Sequence, residues 1–134
     1  MEAKVGHIQF NVRGENLPFY KGLLGFLGWN TLYDVPEMLG MGGANGQSLW
    51  FGGRVKEVEN DYDGPGMNHL AFSAASVAEV DAAAAYLMEQ GVPLLFETPR
   101  HRPEFSGDEQ STYYQIMFET PDRILIEVVY IGPK

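Results

Sequence analysis

The chain contains no cysteine among its 134 residues. This absence excludes disulfide bonds, thiolate zinc sites, iron–sulfur clusters and cysteine nucleophiles. Basic residues are also scarce: nine Lys and Arg stand against eighteen Asp and Glu, for a net charge of −9. Because such a surface repels nucleic-acid phosphates, we expect no nucleic-acid partner.

Long apolar runs are absent as well. No segment approaches the roughly 18–20 apolar residues that a membrane-spanning helix needs. The first residues, MEAKV, do not have the basic and then apolar pattern of a secretory signal. We therefore expect no membrane association and a cytoplasmic location. The hydrophobic content of 45% and charged content of 20% are typical of a folded globular domain.

The two halves of the chain begin alike, which indicates an internal repeat. Residues 6–12 (GHIQFNV) align with residues 68–74 (NHLAFSA), so that His7 matches His69. Apolar residues at three- and four-residue spacing follow in both halves and predict helices that end before Gly28 and Gly91. Ser76 is the predicted N-cap of the second helix, with Glu79 completing a capping box.

Short strands are predicted after each helix, separated by turn residues such as Pro36, Asn45-Gly46 and Pro121-Asp122. Residues 98–111 are predicted to form a long loop. The predicted strands lie near 29–34, 38–43 and 47–52 in the first half, and near 93–97, 112–119 and 123–130 in the second.

This order predicts an α+β fold with two βαβββ modules. We expect a single domain, 1–134, built of module 1 (about 4–53), a polar linker (54–66) and module 2 (about 67–131). One such module cannot cover both faces of its own sheet, so two modules should share a curved surface.

Three polar residues lie on strands whose alternate positions are apolar. His7 and His69 occupy matching repeat positions, and Glu127 lies between apolar neighbours on the last strand. A carboxylate in such surroundings needs a partner or a cation. Two histidines and one carboxylate can ligate a divalent metal while leaving positions open for a substrate. The alternative for either histidine alone is an ordinary hydrogen-bonded strand residue.

The sequence resembles the vicinal oxygen chelate superfamily of glyoxalases, bleomycin-resistance proteins, fosfomycin-resistance enzymes and extradiol dioxygenases. The resemblance rests on residues 6–8 (GHI), 19–26 (FYKGLLGF), 66–72 (GMNHLAF) and 118–128 (FETPDRILIEV). It implies an incomplete eight-stranded barrel around a metal cleft and, usually, a homodimer. The site would lie within one chain or be shared between chains that exchange modules.

Departures from the family patterns bear on the reaction. Trp50 aligns where metal-dependent glyoxalases often carry a fourth ligand, a glutamate, so glyoxalase I activity is not favoured. Extradiol dioxygenases have a tyrosine where this chain has Met117, which makes ring cleavage less favoured. Fosfomycin-type transferases match the three-ligand pattern, but they usually have a threonine where Gln9 stands.

The resemblance thus implies a glyoxalase-like metal-dependent enzyme with lyase, isomerase or thiol-transferase chemistry on a small oxygen-bearing substrate. The cofactor would be a divalent metal ion, and manganese, iron, nickel and zinc all suit these ligands. The alternative is a non-catalytic small-molecule-binding protein of the bleomycin-resistance type. The residues expected to contact the substrate surround the predicted metal or lie in the basic part of the 98–111 loop; they are Gln9, Asn11, Trp50, Ser73, Arg100, His101, Arg102, Tyr113 and Met117.

Overall fold

The computed structural model describes residues 1–134, which form two compact units, Met1–Val58 and Glu59–Lys134. Each unit contains one four-stranded mixed sheet and one α-helix. The predicted α+β fold is therefore confirmed, and neither sheet closes into a barrel. Neither helix has the length and apolar character needed to cross a lipid bilayer.

The first unit has the order βαβββ. It consists of β1 (His7–Asn11), α1 (Leu17–Phe26), β2 (Asn30–Val35), β3 (Met38–Gly42) and β4 (Ser48–Gly52). The strand order across the sheet is β1-β4-β3-β2, with β1 parallel to β4.

Side chains of β1 alternate as the sequence pattern predicts. Phe10 is buried and stacks on Phe51 of β4, with 5.3 Å between ring centroids, while His7, Gln9 and Asn11 are exposed. The Phe51 ring also stacks on Tyr20 of α1 at 4.5 Å. This aromatic contact places α1 on the apolar face of the first sheet.

The second unit repeats the order. It consists of β5 (Leu70–Ser73), α2 (Val77–Glu89), β6 (Arg100–His101), β7 (Ser111–Glu119) and β8 (Leu125–Pro133). The strand order is β5-β8-β7-β6, so β8 is a central strand that is parallel to β5 and antiparallel to β7.

The start of α2 confirms Ser76 as its N-cap. The Ser76 hydroxyl accepts a hydrogen bond from the backbone N–H of Glu79 at 3.1 Å. The Glu79 carboxylate binds the backbone N–H of Ala75 at 2.6 Å, one residue before the position that a capping box uses. Both bonds satisfy backbone N–H groups at the N-terminal end of α2.

The predicted strand at 93–97 is wrong. Leu94 makes only an isolated bridge to Phe118, and then the chain turns because Phe96 and Glu97 have φ angles of 58° and 59°. A strand cannot continue through this left-handed conformation. The sixth strand is β6, which lies inside the predicted loop 98–111, and a 3-10 turn at Pro103–Phe105 follows it.

The turn between β7 and β8 forms at Pro121-Asp122, as predicted. It is closed by hydrogen bonds from Thr120 N to Ile124 O and from Arg123 N to Thr120 O, each 2.9 Å long. Arg123 has a φ of 55°, so β8 begins at Leu125 rather than at residue 123.

Candidate metal and substrate site

Glu127 is the buried carboxylate of the second sheet. It lies on the central strand β8, next to Ala71 of β5 on one side and Met117 of β7 on the other. Only 2% of the residue is exposed. A carboxylate removed from water to this extent needs hydrogen-bond donors or a cation.

Two side chains of β7 bind the same oxygen of that carboxylate. Tyr113 donates its hydroxyl hydrogen to Oε2 of Glu127 at 2.7 Å, and the side-chain amide of Gln115 donates to the same atom. Tyr114, the residue between them, points to the other side of the sheet, where its hydroxyl binds Asp81 of α2. Glu127 therefore lies on the sheet face that is turned away from α2.

Tyr113 keeps its proton at neutral pH. Burial, together with the hydrogen bond to Glu127 and the negative charge of that carboxylate, raises the pKa of Tyr113 to about 12. The nearby Arg102 guanidinium acts in the opposite direction. Tyr113 is therefore a phenol that donates to Glu127, and not a phenolate.

His69 approaches the other carboxylate oxygen. Its Nε2 lies 3.2 Å from Oε1 of Glu127, and 37% of the His69 side chain is exposed. The other ring nitrogen, Nδ1, lies 2.7 Å from Oδ1 of Asn68. The Asn68 amide nitrogen donates to the backbone oxygen of Tyr62 at 3.1 Å, which turns the amide oxygen toward the histidine.

This chain of contacts determines which ring nitrogen of His69 carries a hydrogen. An amide oxygen only accepts, so Nδ1 is the donor to Asn68. A neutral imidazole then presents the lone pair of Nε2 toward an anionic oxygen of Glu127. The two atoms are then joined either by a cation between them or by a second proton on the ring, which makes the contact an ion pair.

Arg102 connects the segment after β6 to this face. Its Nη1 donates to Oε1 of Gln115 at 3.2 Å, and its guanidinium lies over the Phe105 ring, 4.9 Å from the centroid. The Phe105 and Tyr113 rings meet at an angle of 64°, with 5.4 Å between their centroids. The Nε atom of Arg102 is buried and makes no hydrogen bond. It lies 3.4 Å from a Glu104 oxygen, with which it forms an ion pair outside hydrogen-bond geometry.

Other predicted substrate residues of this unit lie in different surroundings. His101 binds Thr112 through Nδ1 and packs on the Tyr114 ring at 4.7 Å, on the side of the sheet that faces α2. Arg100 is 3.7 Å from a Glu97 oxygen. Met117 is buried opposite Glu127, and Ser73 is exposed on β5.

The side of the second sheet that faces α2 also borders an open cavity of about 740 Å³. Val77, His101, Ser111, Thr112 and Lys134 are among its lining residues. Glu127 and His69 do not line it, so this cavity is separate from the histidine–carboxylate pair.

The remaining predicted residues belong to the first unit. His7, Gln9 and Asn11 occupy the exposed positions of β1, and Trp50 of β4 is half-buried opposite Gln9. The structure contains no group of three or more His, Asp or Glu side chains placed to hold a metal ion. It brings together the two predicted ligands of the second unit, His69 and Glu127.

Gln115 and Asn68 were missed in the sequence. A signal for Gln115 exists, because it lies two residues after Tyr113 on the same strand and must share its face. Asn68 directly precedes His69 in the repeated segment, but nothing in the sequence says that its amide binds the histidine ring.

Comparisons with known proteins agree with this architecture. A model of the Glyoxalase/Bleomycin resistance protein/Dioxygenase superfamily matches residues 4–128. A solved protein from Bacillus halodurans, assigned to the glyoxalases, is 30% identical, with a TM-score of 0.76 over 94% of each chain. A glyoxalase/dioxygenase from Nostoc punctiforme is 20% identical, with a TM-score of 0.74 over 98% of this chain and 92% of that one.

Two further relatives extend the comparison. The fosfomycin resistance protein FosX of Listeria monocytogenes, solved with Mn(II) and sulfate, is 22% identical, with a TM-score of 0.70 over 98% of this chain and 93% of that one. The uncharacterized protein YqjT of Bacillus subtilis (strain 168) is 39% identical over 64 residues, or 48% of this chain. That match spans 46% of YqjT, about half of its length.

Proposed function

Because the chain belongs to the Glyoxalase/Bleomycin resistance protein/Dioxygenase superfamily, we propose that it is an enzyme that uses a divalent metal ion to bind a small substrate through adjacent oxygens. The proposed chemistry is that of a lyase, isomerase or thiol-transferase. His69 and Glu127 are proposed as metal ligands. His7, at the matching repeat position of the first unit, is proposed as the third ligand, from the same chain or from a partner chain.

The orientation of His69 carries the proposal. Its Nδ1–H is held by Asn68, and its Nε2 faces Oε1 of Glu127 at 3.2 Å. Metal-bound histidines characteristically donate their second ring nitrogen to a carbonyl or carboxylate oxygen, which fixes the tautomer that can ligate. The residues present therefore fit a divalent cation with nitrogen and oxygen ligands, such as manganese, iron, nickel or zinc.

A bound divalent ion would act as a Lewis acid that stabilises negative charge on a substrate oxygen. The side chains around the pair would hold their own charges and protons in place. Tyr113 keeps a hydroxyl proton at Glu127 Oε2, and Gln115 adds a second donor there. Arg102 brings a positive charge that suits an anionic group on the substrate, because a guanidinium pairs well with carboxylates and phosphonates.

The test is metal binding by the purified chain. Calorimetric titration of metal-free protein with Mn²⁺, Ni²⁺ and Zn²⁺ should give saturable binding in the wild type. His69→Ala and Glu127→Gln should each weaken it by at least about tenfold, since each change removes one ligand. Glu119→Gln is the matched control, because Glu119 is a carboxylate of β7 that binds Tyr62 rather than His69.

Two results would contradict the proposal. One is a folded wild-type protein that binds none of the three metals. The other is equal binding by the wild type and Glu127→Gln. Failure to bind any metal would favour the alternative of a non-catalytic small-molecule-binding protein.

A further inference from the structure

We propose that Gln115 and Arg102 are positioning residues that decide which oxygen of Glu127 is offered to a metal ion. The inference rests on the proposed function, in which Glu127 is a ligand. It assigns a role to two side chains that are not themselves proposed as metal ligands. The observation behind it is a continuous chain of hydrogen bonds from Arg102 through Gln115 to Glu127.

The two oxygens of Glu127 have unequal surroundings. Oε2 accepts hydrogen bonds from Tyr113 and from Gln115, whereas Oε1 faces Nε2 of His69. Two donors on Oε2 hold the carboxylate plane and occupy the lone pairs of that oxygen. Oε1 is then the oxygen available to a cation, so Glu127 should bind a metal through one oxygen.

The Gln115 amide is held at both ends, by Arg102 at its oxygen and by Glu127 at its NH₂ group. Gln115 is 4% exposed, and its amide has a donor end and an acceptor end of nearly equal size. Arg102 can only donate, so it attracts the amide oxygen and leaves the NH₂ group directed at Glu127. Without Arg102 the oxygen end of the amide loses its donor, so Glu127 alone holds the Gln115 side chain and the bond from its NH₂ group to Oε2 is less firmly positioned.

A purely electrostatic role for Arg102 predicts the opposite effect. A positive charge near the site repels a divalent cation, so its removal should strengthen metal binding. If Arg102 acts through the amide of Gln115, its removal should weaken binding despite the loss of that repulsion. The sign of the change in affinity therefore distinguishes the two roles.

The experiment compares Arg102→Met with Arg100→Met in titrations with Mn²⁺ and Ni²⁺. Arg100 lies on β6 opposite Gln115 and pairs with Glu97, so its variant removes one positive charge but none of the hydrogen bonds that run from Arg102 to Glu127. We expect Arg102→Met to weaken binding about 10-fold, within the usual 10- to 100-fold range for residues that orient a ligand. Arg100→Met should bind metal at least as tightly as the wild type.

A double-variant comparison tests whether Arg102 acts through Gln115. Gln115→Met should weaken metal binding, and adding Arg102→Met to it should cause no further loss, because the amide is already absent. Arg102→Lys retains a cationic donor and should restore part of the affinity. Unchanged or tighter binding in Arg102→Met would overturn the proposal, while metal binding by the wild type would leave the proposed function standing.

A metal-free measurement keeps the inference testable if the wild type binds no metal. The side-chain NH₂ signal of Gln115, identified by its disappearance in Gln115→Met, should exchange slowly with solvent in the wild type. In Arg102→Met it should shift and exchange faster, whereas Arg100→Met should leave it in place. An identical Gln115 signal in the wild type and Arg102→Met would refute the coupling between the two residues.

Discussion

Trp50 occupies in the first sheet the register position that Glu127 occupies in the second. Gln9 of β1 pairs with Trp50 of β4, and Ala71, the repeat equivalent of Gln9, pairs with Glu127 of β8. The backbone register therefore supports the alignment made from the sequence. One of the two equivalent positions carries a buried carboxylate and the other an indole, so the two halves have diverged at this position.

The Trp50 side chain is packed in its own sheet. Its Nε1 donates to the Ser48 hydroxyl at 2.9 Å, and the ring covers Gly40, its direct neighbour on β3. A β-carbon added at Gly40 would lie 2.5 Å from the ring. Only glycine leaves room for the indole in this position.

Gly40→Ala is therefore expected to destabilise the protein by about 1–3 kcal/mol, the usual cost of overpacking. The indole must move, so the Trp50 fluorescence should also change when measured in a Trp29→Phe background. Urea unfolding gives the change in stability.

Gly25→Ala is the control, because nothing lies within 4 Å of its added β-carbon and Gly25 lies inside α1. This change should stabilise the protein by about 0.5–1 kcal/mol. Equal effects of the two changes would contradict the steric explanation.

Asn68→Ala should weaken the binding of Mn²⁺ and Ni²⁺ about 10-fold without removing a ligand. The amide holds Nδ1 of His69, and its loss frees the ring to rotate and to move its proton to the other nitrogen. Calorimetric titration measures the affinity. Asn68→Asp keeps an acceptor and should retain binding better than Asn68→Ala, whereas equal losses would argue against the role of the acceptor.

Tyr114→Phe should reduce the alkaline loss of stability. Burial, and then the hydrogen bond to Asp81, raises the pKa of Tyr114 to about 12 from its ordinary value of 10.0. The unfolded chain therefore releases this proton at lower pH than the folded chain does. The stabilising contribution is complete below about pH 10 and declines as the pH rises from 10 to about 12.

Urea unfolding of the wild type and Tyr114→Phe between pH 8 and 12 would measure this effect. The difference in free energy of unfolding between them should narrow above pH 10. A constant difference across the range would show that Tyr114 has the same pKa in both states.

Ser76→Ala should destabilise the protein by about 1 kcal/mol, because it removes the acceptor for the Glu79 N–H at the start of α2. Ser76→Asn supplies another N-cap acceptor and should retain most of the stability. Thermal or urea unfolding of the three proteins provides the comparison. Unchanged stability in Ser76→Ala would show that the side-chain cap contributes nothing.

The chain is expected to form a homodimer, because the family resemblance implies one and both sheets have edge strands that need cover. Light scattering at micromolar concentration should give twice the chain mass of 14.9 kDa.

Mixing His7→Ala with Glu127→Ala protein then tests whether two chains share a metal site. Restored metal binding in the mixture identifies an exchanged arrangement. A mixture that still binds no metal identifies a site within one chain. A monomer alone would refute the dimer.

Local patterns in the sequence predicted most of the fold. The spacing of apolar residues in α1 and α2 and the Ser76 cap depend on interactions between residues a few positions apart, and the repeat that begins at His7 and His69 uses the same local pattern twice. The strand at 93–97 was wrong because Phe96 and Glu97 adopt a left-handed conformation that their side chains do not favour. Neither residue is a glycine or an asparagine, the residue types that usually indicate such a turn in a sequence.

By itself, the sequence determined which way Glu127 on β8 and His69, directly before β5, should face, because the period of two in a strand assigns each side chain to a face. Only the tertiary structure decided what they meet on that face. The antiparallel register of β7 and β8 brings Tyr113 and Gln115 to one oxygen of Glu127, and the parallel pairing of β5 with β8 brings His69 to the other. These partners are not adjacent along the chain. Alternation indicates which way a side chain faces but not which side chain it meets, so the neighbours of Glu127 follow only from the pairing between strands.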